Sequence, residues 1–213
     1  MGAENQDVPY RNSSDTEPVP RRGGGRPRSD AANRAILYAA REELVEHGFT
    51  KFRIEHVAAR AGVGKSTLYR RWASKEALAQ DLLADLAAPH ISVDDVGDTS
   101  EELYQCVEHA LHALRDTPFG AVIRALVSQI AINPKLGDPF RATVVHARRT
   151  EIARVVARGI ERGDLRPDCA ADVATELLVG PVYFRLIFGG DLGDDFARTV
   201  SDTVYLAFST PRA

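Results

Sequence analysis

The run Gly64-Lys65-Ser66-Thr67, inside the longer stretch AGVGKSTLYRRW, could serve two kinds of chemistry. GKST is the end of a phosphate-binding P-loop, in which backbone amides and the lysine hold a nucleotide. A short helix that begins with small polar residues and continues with arginines could instead lie against DNA and read base edges and phosphates. The two interpretations require different neighbouring elements.

The residues before this run have the spacing of a helix, which argues against the P-loop. A P-loop has a first glycine five positions before the second, directly after a buried strand, and that position is Ala59. The preceding IEHVAAR places Ile54, Val57 and Ala58 on one helical face. Gly62 then allows a tight reversal into a second helix. The sequence therefore predicts a helix-turn-helix unit rather than a nucleotide site.

Charge is distributed unevenly along the chain. Residues 1–75 hold 14 Lys and Arg against 9 Asp and Glu, whereas residues 76–213 hold 13 against 21, for a net charge of −3. Between 51 and 75 all the charges but one are positive, whereas an ordinary solvated helical surface carries both signs. A basic front on an acidic body predicts a polyanionic partner for the front alone.

Helical periodicity continues through the rest of the chain, and no segment alternates with period two. The spacing predicts about nine helices, with Gly48 and Pro89 as stops and Ser74 as an N-cap. We predict an all-α protein with a disordered basic arm at 1–28, a three-helix helix-turn-helix DNA-binding domain at 29–75, and a helical ligand-binding and dimerisation domain at 76–213. The helices after Ser74 are expected at about 75–88, 100–115, 118–132, 138–162, 169–188 and 192–209.

The run GFTKFRIEHVAARAGVGKSTLYRRWASKEALAQDLL resembles the DNA-binding domain of the TetR (tetracycline-repressor-like) transcriptional regulators. The segments ERGDLRPD and LLVGPVYFRLIFGG resemble one group of C-terminal domains in that family. The resemblance implies base-edge contacts from Lys65, Ser66 and Thr67, and phosphate contacts from Tyr69 and Lys75. Arg70 and Arg71 would contact phosphate or guanine. Arg53, where the family often has a capping Ser or Thr, is expected to reach a phosphate beside the free helix amides.

Four arginines precede the first helix in the run RRGGGRPR. Arg-Pro-Arg between glycines is expected to be extended and narrow, which suits the minor groove of DNA and resembles the core of an AT-hook. Basic tails beside folded domains are common, so a purely solvated tail is the alternative. Beside a helix-turn-helix unit we favour minor-groove contacts from Arg26 and Arg28.

The acidic body is expected to hold a dimer and to bind a small-molecule effector of unknown identity, as the resemblance implies. One recognition helix contacts few base pairs, so two must be spaced by about one DNA turn. The last two helices are the predicted homodimer interface, because they are apolar over much of their circumference. The predicted effector contacts are Phe119, Arg124, Phe140, His146, Tyr183 and Phe184. The apolar set expected at the interface is Leu177, Leu178, Tyr183, Leu186, Ile187, Phe196, Val200, Val204 and Leu206.

Cys106, His109 and His112 recur every third residue on a predicted helix and could in principle hold Zn²⁺. Ligand pairs on helices are commonly four residues apart and a fourth ligand is missing, so we predict neither a metal site nor a cofactor. The two cysteines form no disulfide framework, and neither a membrane span nor a signal peptide is predicted, which favours the cytoplasm.

The sequence therefore predicts a ligand-responsive transcriptional regulator, with repression favoured over activation, that binds a near-palindromic double-stranded operator as a dimer. Two rivals stay open. An architectural DNA-binding protein would use the same arm and helices without an effector. A nucleotide-dependent enzyme would use GKST, although the sequence has no G-x-S-x-G, HExxH or paired catalytic carboxylates in a suitable context, and we predict no catalytic residues.

Overall fold

The computed structural model describes the backbone of residues 26–87 and 91–211, and the side chains of the same ranges from residue 31 onward. Its regular structure is helical, with an isolated antiparallel bridge between Leu165 and Ser209, which confirms the all-α prediction. Within the described residues the helices are α1 Arg26–Lys51, α2 Ile54–Arg60, α3 Lys65–Arg71, α4 Lys75–Ala87, α5 Thr99–Arg115, α6 Pro118–Ile132, α7 Pro134–Phe140, α8 His146–Glu161, α9 Ala171–Phe188 and α10 Asp194–Phe208.

Helices α7 and α8 are joined by a π-helical turn, Arg141–Val145, so that Pro134–Glu161 is one continuous rod. The sequence predicted this rod as a single helix but began it four residues late. Asn133 caps its N-terminus, because its side chain accepts a hydrogen bond from the Lys135 amide at 3.1 Å. Counted with the rod as one element, the described helices match the nine that were predicted.

Helix α1 begins at Arg26, and its helical path ends at Gly48, whose φ of 68° only glycine adopts readily. Residues 1–25 of the predicted arm, and the side chains of Arg26 and Arg28, lie outside what the structure describes. The backbone from Arg26 to Arg28 is helical, so the extended Arg-Pro-Arg conformation was wrong. Proline fits the first helical turn, because its fixed φ is helical and its missing amide hydrogen has no helical acceptor there.

The three N-terminal helices, which we call the reading head, pack around a core that α4 shares. Beyond the Gly48 turn, Phe49 and Phe52 are buried and stacked with ring centroids 6.2 Å apart. Ser74 begins α4 as predicted, since its hydroxyl accepts the Ala77 amide at 3.2 Å. The inward face of α4 is fully apolar, and it contacts both the reading head and α6 and α7. It comprises Leu78, Ala79, Leu82, Leu83 and Ala87.

The body, α5–α10, is organised around α5, which α6, α8, α9 and α10 all contact. Asp98 caps α5, accepting the amides of the next helix turn at 2.9 and 3.2 Å. The fully buried Glu102 carboxylate joins α5 to α8 through Arg158, at 2.7 Å, and Arg162, at 2.9 Å. A buried carboxylate with two guanidinium partners fixes the register of these helices. No helix in the described ranges is long and apolar enough to cross a membrane.

Candidate DNA-reading surface and ligand cavity

Helices α2 and α3 form the predicted helix-turn-helix. Gly62 has a φ of 66° between them, and the Val63 amide closes the turn by donating to the Ala58 carbonyl at 3.0 Å. Leu68 of α3 is completely buried against Val57 and the rest of the head core. One side of α3 is thereby fixed inward, and its remaining positions face water.

The outward positions of α3 carry the predicted base and phosphate contacts on one short surface, which we call the reading surface. Thr67 is half-buried, and the others are exposed. None of the described carboxylates lies within ion-pair distance of a cation on α3. A cationic helix face whose Lys and Arg side chains make no ion pair with these carboxylates is suited to a polyanion. The reading surface comprises Lys65, Ser66, Thr67, Tyr69, Arg70 and Arg71.

Tyr69 already has a partner in the free protein. Its hydroxyl donates to Glu55 Oε1 of α2 at 2.9 Å, and this hydrogen bond raises the pKa of Tyr69. The pKa of Glu55 is lowered by a backbone hydrogen bond and by Tyr69, so Glu55 is charged at neutral pH. A phosphate bound by this hydroxyl would replace or approach that carboxylate. The sequence did not reveal this competition.

Lys75 and Arg53 flank the reading surface at helix N-termini. The Lys75 ammonium donates to the Phe49 carbonyl at 3.1 Å and lies 4.4 Å from the Phe49 ring centroid, so it also ties α4 to the end of α1. Arg53 occupies the N-cap of α2, is exposed, and makes no side-chain capping bond. Arg60, which the charge count included, is bound to Glu46 at 2.7 Å and is not part of the surface.

The GKST run begins α3 after a helix and a turn. The only β-type pairing among the described residues is the isolated antiparallel bridge. These residues therefore contain no parallel strand that a P-loop could follow. Gly64 has the extended backbone of an N-cap, with φ −69° and ψ 143°. This geometry supports the helix-turn-helix interpretation of the run and argues against the nucleotide-loop interpretation.

A hydrogen bond joins the end of the recognition helix to α4. The Trp72 indole nitrogen donates to Asp81 Oδ2 at 2.7 Å, and the ring is buried. On its other side α4 contacts α7, where the Gln80 side chain donates to the Lys135 carbonyl. Helix α4 is therefore in direct contact with both the end of α3 and the body.

A cavity of about 380 Å³ lies in the body next to the end of α4. Its walls come from α4, α5, α6, the π-helical turn, α8 and α9, and most of the lining is apolar. Such a volume and lining are typical of small-molecule sites. Phe140 lines this cavity and also a smaller one, of about 120 Å³, whose other wall includes Gln80, Asp81 and Leu83 of α4. Phe140 thus lies between the main cavity and the part of α4 that carries Gln80 and Asp81.

The structure brings together three of the six predicted effector contacts. Phe119, Phe140 and Tyr183 line the cavity. Arg124 is exposed and lies at a separate small pocket on α6 and α9, and His146 is exposed on the rod. Phe184 is also exposed and packs on Phe188, with ring centroids 5.0 Å apart. These three side chains lie away from the cavity because their helix positions face outward.

The sequence analysis missed Arg148 and Arg149, which contribute cations to the cavity wall. Arg149 lies 3.5 Å from Asp172 and 3.3 Å from Glu176. Burial lowers the pKa of the Arg148 guanidinium, although arginine stays protonated near neutral pH. A sequence signal existed, because Arg148 lies four residues from both Val144 and Ile152 on the buried face of an amphipathic helix.

The structure separates the three residues that were weighed as a metal site. Cys106 is buried, and burial raises the pKa of its thiol to about 12. His109 Nδ1 lies 3.0 Å from the Ser92 carbonyl, and His112 Nδ1 lies 3.0 Å from Asp116. No group of metal-ligating side chains occurs among the described residues.

The outer face of α9 and α10 carries large apolar side chains in contact with solvent. Residues 173, 177, 184 and 188 are spaced by four and seven positions and so form one stripe along α9. Four residues expected at an interface, Leu178, Leu186, Val200 and Val204, are instead buried within this chain. Helix α9 continues through Gly180-Pro181. We call the exposed set, with its α10 neighbour, the outer apolar stripe: Val173, Leu177, Phe184, Ile187, Phe188 and Leu206.

Comparison with known families matches both parts of the chain. Residues 36–82 match the profile described as bacterial regulatory proteins, tetR family, and residues 93–204 match that of the tetracyclin repressor-like C-terminal domain. The HTH-type transcriptional regulator YdeS of Bacillus subtilis is 32% identical over 192 residues, which are 89% of this chain and 94% of YdeS. The DNA-binding transcriptional repressor TetR of Mycobacteroides abscessus is 27% identical, over 87% of this chain and 98% of that protein.

A solved structure extends the match to three dimensions. The TetR family transcription regulator SCO0332 superposes with a TM-score of 0.65 and 28% identity, covering 82% of this chain and 96% of that one. The match spans the reading head and the body together.

Proposed function

The chain belongs to the TetR family of DNA-binding transcriptional regulators, and we propose that it is a dimeric repressor released from its operator by a small molecule bound in the body. The observation that carries the proposal is the cationic reading surface of α3, linked by Trp72 and Asp81 to a helix that borders the cavity. Regulators of this family are not typically enzymes. We place the protein with its operator in the cytoplasm.

The reading surface supplies both kinds of contact that sequence-specific binding needs. Lys65, Ser66 and Thr67 lie in the first turn of α3, where the helix end comes closest to base edges in the major groove. Tyr69, Arg70 and Arg71 follow on the outward side and reach the sugar-phosphate backbone. Lys75 and Arg53 extend the cationic surface to the N-termini of α4 and α2, where free amides favour phosphate.

Two copies of α3 must be held about 34–36 Å apart to occupy successive major grooves on one side of the duplex. The outer apolar stripe supports a two-fold dimer through α9 and α10, because large apolar side chains in one stripe are otherwise costly to leave in water. A self-complementary pair of such helices would form a bundle between two bodies.

Effector release follows from the position of α4. Ala87 at the end of this helix lines the cavity, and Phe140 separates the cavity from Gln80 and Asp81. A ligand that occupies the cavity displaces Phe140 or Ala87 and thereby moves α4, and Asp81 transmits the shift to Trp72. The equilibrium shifts only as far as the ligand prefers the displaced arrangement.

The test of operator reading is selection of bound genomic fragments, followed by footprinting and affinity measurement on the selected site. We expect a discrete near-palindromic footprint. Lys65→Ala should lower affinity by about five- to 150-fold, since each specific contact is worth roughly 1–3 kcal/mol. Arg124→Ala, which removes an exposed cation from the body, is the charge-matched control and should leave affinity unchanged.

A footprint that covers random and genomic DNA equally would instead support an architectural DNA-binding protein. A reporter placed behind the selected operator distinguishes repression from activation, because repression requires transcription to fall when the protein is present. Nucleotide binding that is lost in Lys65→Ala would support the enzyme interpretation.

The dimer is tested by sedimentation of two matched variants. Phe188 is 74% exposed on the outer apolar stripe, and Ile132 is 73% exposed at the end of α6. Phe188→Glu should give monomers that bind the operator weakly, whereas Ile132→Glu should stay dimeric. Equal behaviour of the two variants would move the interface away from α9 and α10.

A further inference from the structure

The outward residues of α3 do not share one direction, and the direction of each decides which part of DNA it can reach. Leu68 marks the direction of the head core, because it is completely buried. Successive residues of an α-helix are turned by about 100°, so Ser66 and Arg70 each lie about 160° from Leu68, in opposite senses. The centre of the exposed side of α3 therefore consists of one short hydroxyl side chain and, one turn later, one guanidinium.

The neighbouring long side chains lie on the two flanks of the helix, and each flank contacts another part of the head. Tyr69 is turned from Leu68 by about 100° in one sense, and its hydroxyl donates to Glu55 of α2 at 2.9 Å. Arg71 is turned by about 60° in the other sense, and its guanidinium carbon lies 5.3 Å from the Trp72 ring centroid. The contacts in the structure thus agree with the directions expected from the helix, and they hold both side chains at the edges of the reading surface.

Arg70 differs from both flanking residues in its surroundings. It is exposed, and within the part of the chain that the structure describes its guanidinium makes no hydrogen bond, ion pair or ring contact. Side chains on a helix lean toward the N-terminus, so Arg70 extends over the turn that holds Ser66, whose short side chain leaves room for it. The N-terminal part of a recognition helix is the part that contacts base edges in the major groove. Arg70 is therefore the long cation of α3 that is best placed to reach a base.

We propose that Arg70 determines specificity by reading one guanine in each half-site of the operator, donating hydrogen bonds to its N7 and O6 atoms. The guanidinium is a planar fork that matches these two acceptors, whereas adenine presents an amino donor in place of O6. Arg70 was grouped under the proposed function with the residues that reach the sugar-phosphate backbone. Its central position assigns it instead to the bases and leaves Tyr69 and Arg71 with the phosphates. The inference rests on the proposed function, because it requires a discrete operator.

The first experiment selects bound sites from a random duplex library with the full chain and with two matched variants. Arg70→Ala and Arg71→Ala each remove one exposed arginine from adjacent positions of the same helix. We expect Arg70→Ala to lose the preference for guanine at one position of each half-site, where a wrong base pair costs the unsubstituted protein about five- to 150-fold in affinity. Arg71→Ala should bind all sites more weakly and keep that preference, as the loss of a phosphate contact requires.

The second experiment removes a single acceptor from the DNA. 7-Deazaguanine replaces N7 by a carbon and keeps O6 and the base pairing, and it is placed at the selected guanine of one half-site. The unsubstituted protein and Arg71→Ala should bind this duplex about two- to tenfold more weakly than the unmodified operator, because one hydrogen bond is lost. Arg70→Ala should bind the two duplexes equally. Each comparison is a ratio of affinities of one protein for two duplexes, so a partly unfolded variant does not obscure it.

The outcomes separate this inference from the proposed function. If the unsubstituted protein selects a discrete operator but the guanine preference survives in Arg70→Ala, the regulator stands and the role of Arg70 is wrong. The same conclusion follows if the preference is lost in Arg71→Ala instead, or if 7-deazaguanine leaves the affinity of the unsubstituted protein unchanged. If the library yields no discrete site, the proposed function fails, and the role of Arg70 fails with it.

Discussion

The reading head and the body both use arginine, but they place it in opposite environments. On α3, Arg70 and Arg71 project into water from a helix whose inner side is held by Leu68. On α8, Arg148 lies on the inner side of its helix at the wall of an apolar cavity. An exposed cation costs the fold little and is available to a large polyanion, whereas a cation at the wall of a cavity can be reached only by a small molecule. The same residue type is therefore accessible to partners of different size in the two regions, and burial decides which.

The largest expected effect is on the free energy of unfolding, and it distinguishes the buried side of α3 from its exposed side. Leu68 is completely buried and joins the recognition helix to the head core, so Leu68→Ala should lower the free energy of unfolding by about 2–5 kcal/mol. Lys65→Ala on the opposite face should change it by less than about 0.5 kcal/mol while reducing operator affinity. Urea unfolding of both variants measures this. A similar loss in the free energy of unfolding in both variants would mean that Lys65 on the reading surface also stabilises the fold.

Substitution of one glycine in the body and one in the reading head tests how tightly each region is packed. A Cβ added to Gly120 in the first turn of α6 would lie 1.8 Å from the Leu114 carbonyl oxygen, so the helices would have to separate. A Cβ on Gly64 would meet only the Ser66 hydroxyl oxygen, at 3.7 Å. Gly120→Ala should cost about 1–3 kcal/mol and weaken ligand binding, because Leu114 and Phe119 line the cavity.

Gly64→Ala is the control for that substitution, and we expect it to lose less, about 0.5–1 kcal/mol, since alanine is a poorer N-cap than glycine but its Cβ meets no close contact here. Thermal unfolding of the two proteins measures the contrast. Similar melting temperatures would show that α5 and α6 can move apart without cost.

Loss of the Trp72–Asp81 hydrogen bond between the reading head and α4 should have an intermediate effect on stability. Asp81→Ala removes the acceptor of the buried Trp72 indole, which should cost about 1–2 kcal/mol of stability. Because Asp81 connects α4 to α3, the same variant should bind operator but respond less to a cavity ligand. Operator affinity measured with and without ligand tests this. An unchanged ligand response would assign the coupling to the apolar contacts of α4.

The smallest effect concerns the exposed pair of Tyr69 and Glu55. Glu55 has a lowered pKa and is charged at neutral pH beside the hydroxyl that we assign to phosphate. Glu55→Gln removes this charge and should raise operator affinity about two- to fivefold. Glu46→Gln, on α1 and paired with Arg60, is the control. Fluorescence anisotropy at two salt concentrations provides the measurement, and a loss of affinity in Glu55→Gln would show that the carboxylate positions Tyr69.

The reading head could be predicted almost completely from the sequence, because its determinants are local. The turn depends on Gly62, the stop on Gly48, and the exposed side of α3 follows from the spacing around the buried Leu68. The Tyr69–Glu55 bond was missed because the two residues lie 14 positions apart on separate helices. Helical periodicity shows which side faces outward and does not show what lies across from it.

The cavity was only partly predicted, because it depends on how distant helices pack. Phe119, Phe140 and Tyr183 face it, whereas Phe184 is aromatic but points away from the core. Residue type alone favoured Arg124 and His146 as ligand contacts, although both are exposed and lie away from the cavity. It did not indicate Arg148, which lines the cavity. The position of Arg148 among apolar neighbours on its helix carried more information than its chemistry, since a charged residue on a buried face needs a polar environment or a ligand.

The π-helical turn at Arg141–Val145 lies in the wall of the cavity, between two residues that line it. The His146 amide donates to the Arg141 carbonyl, five residues back, so one residue more than an α-helical turn occupies this stretch. Phe140 lies before the turn and Arg148 after it. Shortening the stretch by one residue would restore regular winding and rotate one relative to the other by roughly 100°. We therefore expect a single deletion here to reshape the wall of the cavity while leaving the reading surface of α3 unchanged.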